Sequence, residues 1–145
     1  MSKSDTFEND LLKLVFTNVD ITNIGDAGGI RGSVSAGSLY WSLHTADPGE
    51  TGTAVTNETA YTGYSRVAAA RGAGFTVTGN SVSPPANVDF GECTASPGGA
   101  LTHFGIVSTS SGAGKLLYSG TLTPNITMAT GVIPRIKTTS TITED

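Results

Sequence analysis

Few groups in the chain are able to make or break bonds. Its two histidines are His44 and His103, and its single cysteine is Cys93. His44 stands three residues before Asp47, and serines are plentiful, so a Ser-His-Asp set is conceivable. No Gly-x-Ser-x-Gly elbow in the required context occurs to hold a serine in the strained, open position that chemistry needs. Asp89, Glu92, Cys93 and His103 are the conceivable metal set, yet the sequence has neither a close His pair nor a Cys-x-x-Cys. Gly112-Ala113-Gly114-Lys115 resembles part of a phosphate cradle. The required earlier glycine is Thr109, however, and the residue after the lysine is Leu116. Gly72-Ala73-Gly74 lacks the third glycine of a dinucleotide fingerprint, because position 77 is Val. Asp20, Asn23 and Asp26 depart from the calcium-loop spacing and read as turn residues. A lone histidine in a strand is most often hydrogen-bonded structure, and Cys93 reads as a small buried apolar residue. The expectation is a protein with no catalytic residue, no cofactor and no bound metal.

The elements that would position such groups follow from hydropathy. Asp5, with Glu8 three residues on, reads as the capping box of an amphipathic helix over residues 5–17. Phe7, Leu11, Leu14 and Val15 recur at helical spacing, and Leu12 and Phe16 add a second apolar edge. A helix of about 13 residues is marginal in water, so it must dock on its own domain or on a partner. Residues 18–37 are an irregular, glycine-rich connector. Beyond Gly37 the pattern becomes two-fold alternation between turn signals. Leu39, Trp41 and Leu43 are expected on one strand face, with Tyr40, Ser42 and His44 on the other. Asp47-Pro48-Gly49-Glu50 is a turn in which Gly49 takes positive φ. Gly79-Asn80 joins two short strands in a hairpin that sets Val77 opposite Val82. Further strands are expected at 66–71, 87–90, 101–109, 115–122, 126–129 and 132–136, with Ser110–Gly114 as a hairpin loop and a last strand near 140–145. The fold class is mainly β: an antiparallel, jelly-roll-like β-sandwich over 38–145, preceded by the helix and connector of 1–37.

Composition narrows the partners. The 145 residues carry a net charge of −4, and charged residues make up 14% of the chain, against about 25% in an average soluble domain. Gly, Ser and Thr fill 56 positions in their place. A single cysteine excludes an intrachain disulfide framework. The eight Lys and Arg are scattered, which argues against nucleic acid, although Arg66 and Arg71 form a local basic pair. The N-terminus has acidic residues where a secretory signal needs an apolar core, so synthesis and retention in a cytoplasm are expected, with no membrane partner. Low charge, many hydroxyls, and Tyr61 and Tyr64 in turn-like surroundings suit a surface that packs on other protein. The same two tyrosines equally fit the edge of a sandwich core.

The run Leu39-Tyr40-Trp41-Ser42-Leu43-His44-Thr45-Ala46-Asp47-Pro48-Gly49-Glu50 resembles the LHTADPGE signature of small tailed-bacteriophage virion proteins. Asn57-Glu58, Tyr61–Val67, Thr102–Ile106, Ser111–Gly120 and the closing Ile142-Thr143-Glu144-Asp145 are similar in the same order. Gly91–Pro97 departs from that pattern. Such proteins carry tail-fibre-like, neck-fibre-like and head-decoration labels, so the resemblance implies a virion structural component, non-enzymatic and without a small-molecule substrate. Its expected partners are itself, as a homo-oligomer for which a trimer is one arrangement, and major capsid, neck or tail proteins. Phe7, Leu11, Leu14, Val15, Tyr61 and Tyr64 are the candidate interface. A lectin-like module touching a host glycan through Trp41, Tyr61 or Tyr64 is the alternative.

Overall fold

The computed structural model describes residues 2–145. Its contacts gather into two compact units, neither of them one continuous stretch. The N-terminal segment through Ser38 joins Ala69–Asn87 and Lys137–Asp145 in the first unit, and Leu39–Ala68 and Val88–Ile136 form the second. Two stretches later in the chain, Ala69–Asn87 and Lys137–Asp145, thus return to the N-terminal unit.

In the first unit, helix α1 spans Asp5–Leu12 and is followed by one π-helical turn, Lys13–Thr17. Its cap is Ser4, one residue earlier than the sequence pattern suggested: the Ser4 hydroxyl accepts the Phe7 N–H at 3.4 Å. Asp5 and Glu8 therefore fall in the first turn, where a carboxylate meets the positive end of the helix dipole. Asn18 ends the helix in the left-handed region, at φ 59°. The buried side is Glu8, Leu12 and Phe16, the edge expected to be secondary. Phe16 meets Phe75 edge-on, with ring centroids 4.8 Å apart. Glu8, Leu12 and Phe16, four residues apart, share one face, and Leu11, Leu14 and Val15 are left half-buried.

Strands β3 (Thr76–Thr78) and β4 (Ser81–Ser83) form the expected hairpin, with Val77 opposite Val82, and β9 (Ile142–Thr143) adds a third strand against β4. The connector is ordered by its own polar side chains. Asp26 Oδ1 accepts the N–H groups of Gly28 and Gly29 at 2.7 and 2.9 Å, and Asp20 Oδ1 accepts that of Gly32 at 2.7 Å. Gly29 is obligatory here: a Cβ on it would lie 1.8 Å from the Ile21 carbonyl oxygen.

The second unit is built on an antiparallel sheet in the order β2 (Val67–Ala70), β1 (Ser38–His44), β6 (Leu101–Val107), β7 (Leu116–Ile126). A shorter ladder pairs β5 (Val88–Asp89) with β8 (Arg135–Ile136). The mainly β class, the antiparallel sheets and the single N-terminal helix are those expected. Two details differ. Residues 41–44 are buried on both faces, so Ser42 and His44 lie inside and not on a solvent face. The strand expected at 115–122 is longer, β7 running through Pro124 to Ile126, and the separate strand expected at 126–129 does not form, since 127–129 lie in no strand. β7 passes Pro124 by bulging, a deviation that alternation cannot reveal.

Candidate functional site

The most heavily bonded side chain of the second unit is Arg66, whose side chain is 2% exposed. It begins beside β2, so the strand fixes where its stem enters. The guanidinium grips Glu58 with two bonds, Nε to Oε1 at 2.6 Å and Nη2 to Oε2 at 2.7 Å. The remaining donors reach the carbonyls of Thr109 at 2.9 Å, Gly112 at 3.0 Å and Ala54 at 3.2 Å. Such a planar fork suits several fixed acceptors at once. Tyr64 donates its hydroxyl to Glu58 Oε1 at 2.8 Å and receives the Leu43 N–H at 3.2 Å. Burial, and secondarily the Glu58 charge, push the Tyr64 hydroxyl well above its usual range. One ion pair thus ties the 54–58 turn, β1 and the β6–β7 loop together.

This assembly answers two expectations. Ser110–Gly114 is the hairpin loop foreseen, and its Gly112 carbonyl faces a cation from the chain itself. Arg66 and Arg71, the local basic pair, are both spent internally. Arg71, in the first unit, donates to the carbonyls of Val15 at 2.7 Å, Ala36 at 3.2 Å and Leu14, satisfying acceptors that the helix end leaves open.

His44 is fully buried. Its Nδ1 lies 2.8 Å from the Thr56 carbonyl and its Nε2 2.9 Å from Ser42 Oγ. The carbonyl only accepts, so Nδ1 carries the proton and Nε2 accepts from the serine. Burial lowers the His44 pKa below its ordinary value, against a smaller opposing effect of the Thr56 bond. Asp47 does not join this pair; its Oδ1 accepts the Gly49 N–H at 2.8 Å inside the expected turn, where Gly49 has φ 70°. His103 is the cross-strand partner of His44, and its ring lies near the Thr102 and Thr121 hydroxyls at 2.9 and 3.4 Å. Gly105, opposite Ser42, provides the room: a Cβ there would lie 2.6 Å from Ser42 Oγ and 2.9 Å from His44 Nε2.

The conceivable metal set is dispersed. Asp89 pairs with Arg135 across β5 and β8, and that bond holds its carboxyl below the usual range. Cys93 is buried, its thiol 3.5 Å from the Ala95 carbonyl. Among the described residues no three His, Cys, Asp or Glu come together to hold a metal. No described helix is long and apolar enough to cross a membrane.

The six candidate interface residues divide. Phe7 is 36% exposed, and Leu11, Leu14 and Val15 are half-buried. Tyr61 is buried, donates to the Gly91 carbonyl at 2.9 Å and is pushed up to about 12, mainly by burial. Tyr64 is half-buried, stacked on Phe90 with ring centroids 6.2 Å apart. Trp41, at 2% exposed, packs against Phe104 and offers no face to a sugar. Sequence reading missed an outward apolar surface: Val19, Ile24, Ile30 and Val34 are all exposed in the connector. Their alternation with glycine and polar residues was legible; their direction was not. Missed as well was the Glu58–Tyr64–Arg66 cluster, although the resemblance-bearing runs Asn57-Glu58 and Tyr61–Val67 contain all of it.

A groove of about 480 Å3 lies between the Asp47–Glu50 turn and Leu116–Ser119 of β7. No curated protein matched the sequence. A family model does match, over residues 2–144, and on that evidence the chain belongs to the podophage GP4 fiber I protein gp80 family, a family of phage fibre-type structural proteins.

Proposed function

We propose that this chain is a non-enzymatic fibre component on the outside of a phage particle, holding itself and neighbouring virion proteins together by surface contact. The observation that carries the reading is where the chain spends its polar groups. Arg66, Glu58, Tyr64, Arg71, Ser42 and His44 all bond within the chain. Phe7, Val19, Ile24, Ile30 and Val34 point outward instead. A surface of that kind gains free energy by being covered, at roughly 25 cal/mol per Å2 of apolar area removed from water. Copies repeated around a symmetric particle multiply modest contacts into avidity. The exposed Phe7 edge of α1, with Leu11, Leu14 and Val15 behind it, is the docking element toward the particle. The fibre role takes precedence over capsid decoration because the family is one of fibre proteins.

The test is reconstitution. Particles assembled without this chain are mixed with purified protein and sedimented. Saturable co-sedimentation at a fixed number of copies supports the reading. Protein that stays in the supernatant at every ratio contradicts it.

A further inference from the structure

The groove of the second unit has walls that are fixed before anything enters it. One wall is the Asp47–Glu50 turn and the other is Leu116–Ser119 of β7. Asn57 donates its side-chain N–H to the Asp47 carbonyl at 2.8 Å, and Gly49 donates its N–H to Asp47 Oδ1 at 2.8 Å. Gly52 closes the turn on the Gly49 carbonyl at 3.1 Å. Thr53 then bridges to Lys115, the residue before the second wall, so the turn is tied to the strand it faces. At about 480 Å3 the groove falls within the roughly 300–1,000 Å3 of clefts that hold ligands.

Its chemistry follows from the charges left over around it. The second unit holds five acids (Asp47, Glu50, Glu58, Asp89 and Glu92) and three cations (Arg66, Lys115 and Arg135). Arg66 pairs with Glu58, and Arg135 with Asp89. Asp47 and Glu50 are exposed and form no ion pair among the described residues, nor does exposed Lys115. The facing wall is uncharged, and Leu117 on it is 37% exposed. An occupant complementary to both walls therefore brings positive charge for the turn and apolar surface for the strand. A calcium ion brings only the charge, and two carboxylates fall short of the roughly six to eight oxygens it takes. Lysine and arginine bring both, because a methylene stem lies on apolar surface while the charged head reaches past it. Arginine fits better: its planar fork meets carboxylates two bonds at a time, and it is more weakly hydrated than an ammonium.

We propose that this groove seats an exposed arginine side chain of a neighbouring virion protein, its stem on Leu117 and its guanidinium on the Asp47 and Glu50 carboxylates. The turn is already held by its own hydrogen bonds, so little ordering is needed on binding. Both carboxylates face solvent, which makes the contact sensitive to salt. The assignment deepens the surface-contact reading above and rests on it for where the partner sits.

NMR amide spectra of the full chain test it, titrated with acetyl-Gly-Arg-Gly-amide, with its lysine and glutamate analogues, and with calcium chloride. The arginine peptide should shift the amides of 47–50 and 116–119, the lysine peptide should bind more weakly, and the glutamate peptide should do nothing. Added salt should weaken the response. Asp47→Asn/Glu50→Gln should weaken arginine binding roughly three- to tenfold, the range of two exposed charge pairs. Asp47→Asn keeps the oxygen that accepts the Gly49 N–H, and thermal melting checks the fold. The same variant should co-sediment with particles less tightly by a similar factor. No shift at those amides, an equal response to the glutamate peptide, or a response that the double variant keeps overturns the proposal. So does a response to calcium ions alone, or one produced by concentrating the chain without peptide, which would make a second copy the occupant. If the variant misfolds, the wild-type peptide series and its salt dependence decide. Co-sedimentation unchanged in a folded variant removes the groove assignment and leaves the fibre reading intact. Arginine binding by a chain that never co-sediments removes the fibre reading and the virion partner with it.

Discussion

Replacing Arg66 with Met removes the cation from a site that is 2% exposed while leaving the Glu58 carboxylate, 15% exposed, without its fork. It also strands the carbonyls of Thr109, Gly112 and Ala54, each bonded at 2.9–3.2 Å in the native chain. Removing one partner of a largely buried pair costs about 3–5 kcal/mol, against a total stability of about 5–15 kcal/mol for a typical domain. For a chain of this size, at about 2–4 °C per kcal/mol, that lowers Tm by roughly 6–20 °C. Urea unfolding of Arg66→Met, Glu58→Gln and the double variant closes a thermodynamic cycle. The double variant should be less destabilised than the sum of the singles by about 1–3 kcal/mol, because neither leaves the other's charge orphaned. Arg66→Lys should recover only part of the loss, since an ammonium cannot span both carboxylate oxygens and three carbonyls. A cost below about 1 kcal/mol for Arg66→Met, the range of an exposed surface pair, would refute this account of the cluster.

Acid should weaken the fold through His44. Its folded pKa lies below the unfolded value of about 6.5, so the unfolded chain binds more protons and stability falls as pH drops beneath that value. The loss is at most about 1.4 kcal/mol per pH unit, is absent above neutral pH, and should flatten in His44→Gln; urea midpoints at several pH values measure it. Gly105→Ala should cost about 1–3 kcal/mol by forcing a methyl against Ser42 and His44, read as a lower thermal midpoint with the sheet signature retained. Phe7→Ser with Leu11→Gln should cost no more than about 2 kcal/mol of stability yet abolish co-sedimentation with particles; unchanged binding would move the docking element elsewhere. A glycan array should show no binding, because Trp41 and Tyr61 have no face free to stack on a sugar ring.

The hairpin at Gly79-Asn80, the Asp47–Glu50 turn and the β6–β7 loop were legible because each is written in local turn chemistry. The alternation of Leu39, Trp41 and Leu43 revealed a strand but not that β1 is central and covered on both faces. Its central place depends on β6, which pairs beside it from nearly 60 residues away in the chain. Helix α1 was legible as an element, while its buried side was not. Apolar residues lie on more than one face of it, and Arg71, from another part of the chain, closes its end. The Glu58–Tyr64–Arg66 cluster has no spacing signature at all: an arginine between turns looks like a surface cation until its acceptors converge on it. The outward valines and isoleucines of the connector were hidden for the converse reason. Asp20, Asp26 and Asn18 bond the connector's own backbone at the surface, and the apolar side chains beside them stay exposed.

The claim on which the rest depends is that this molecule is a built-in part of the phage. Quantitative mass spectrometry of gradient-purified particles addresses it directly. The account predicts peptides from this chain at a constant ratio to the major capsid protein across independent preparations. Peptides confined to the lysate and missing from the particle band would contradict it.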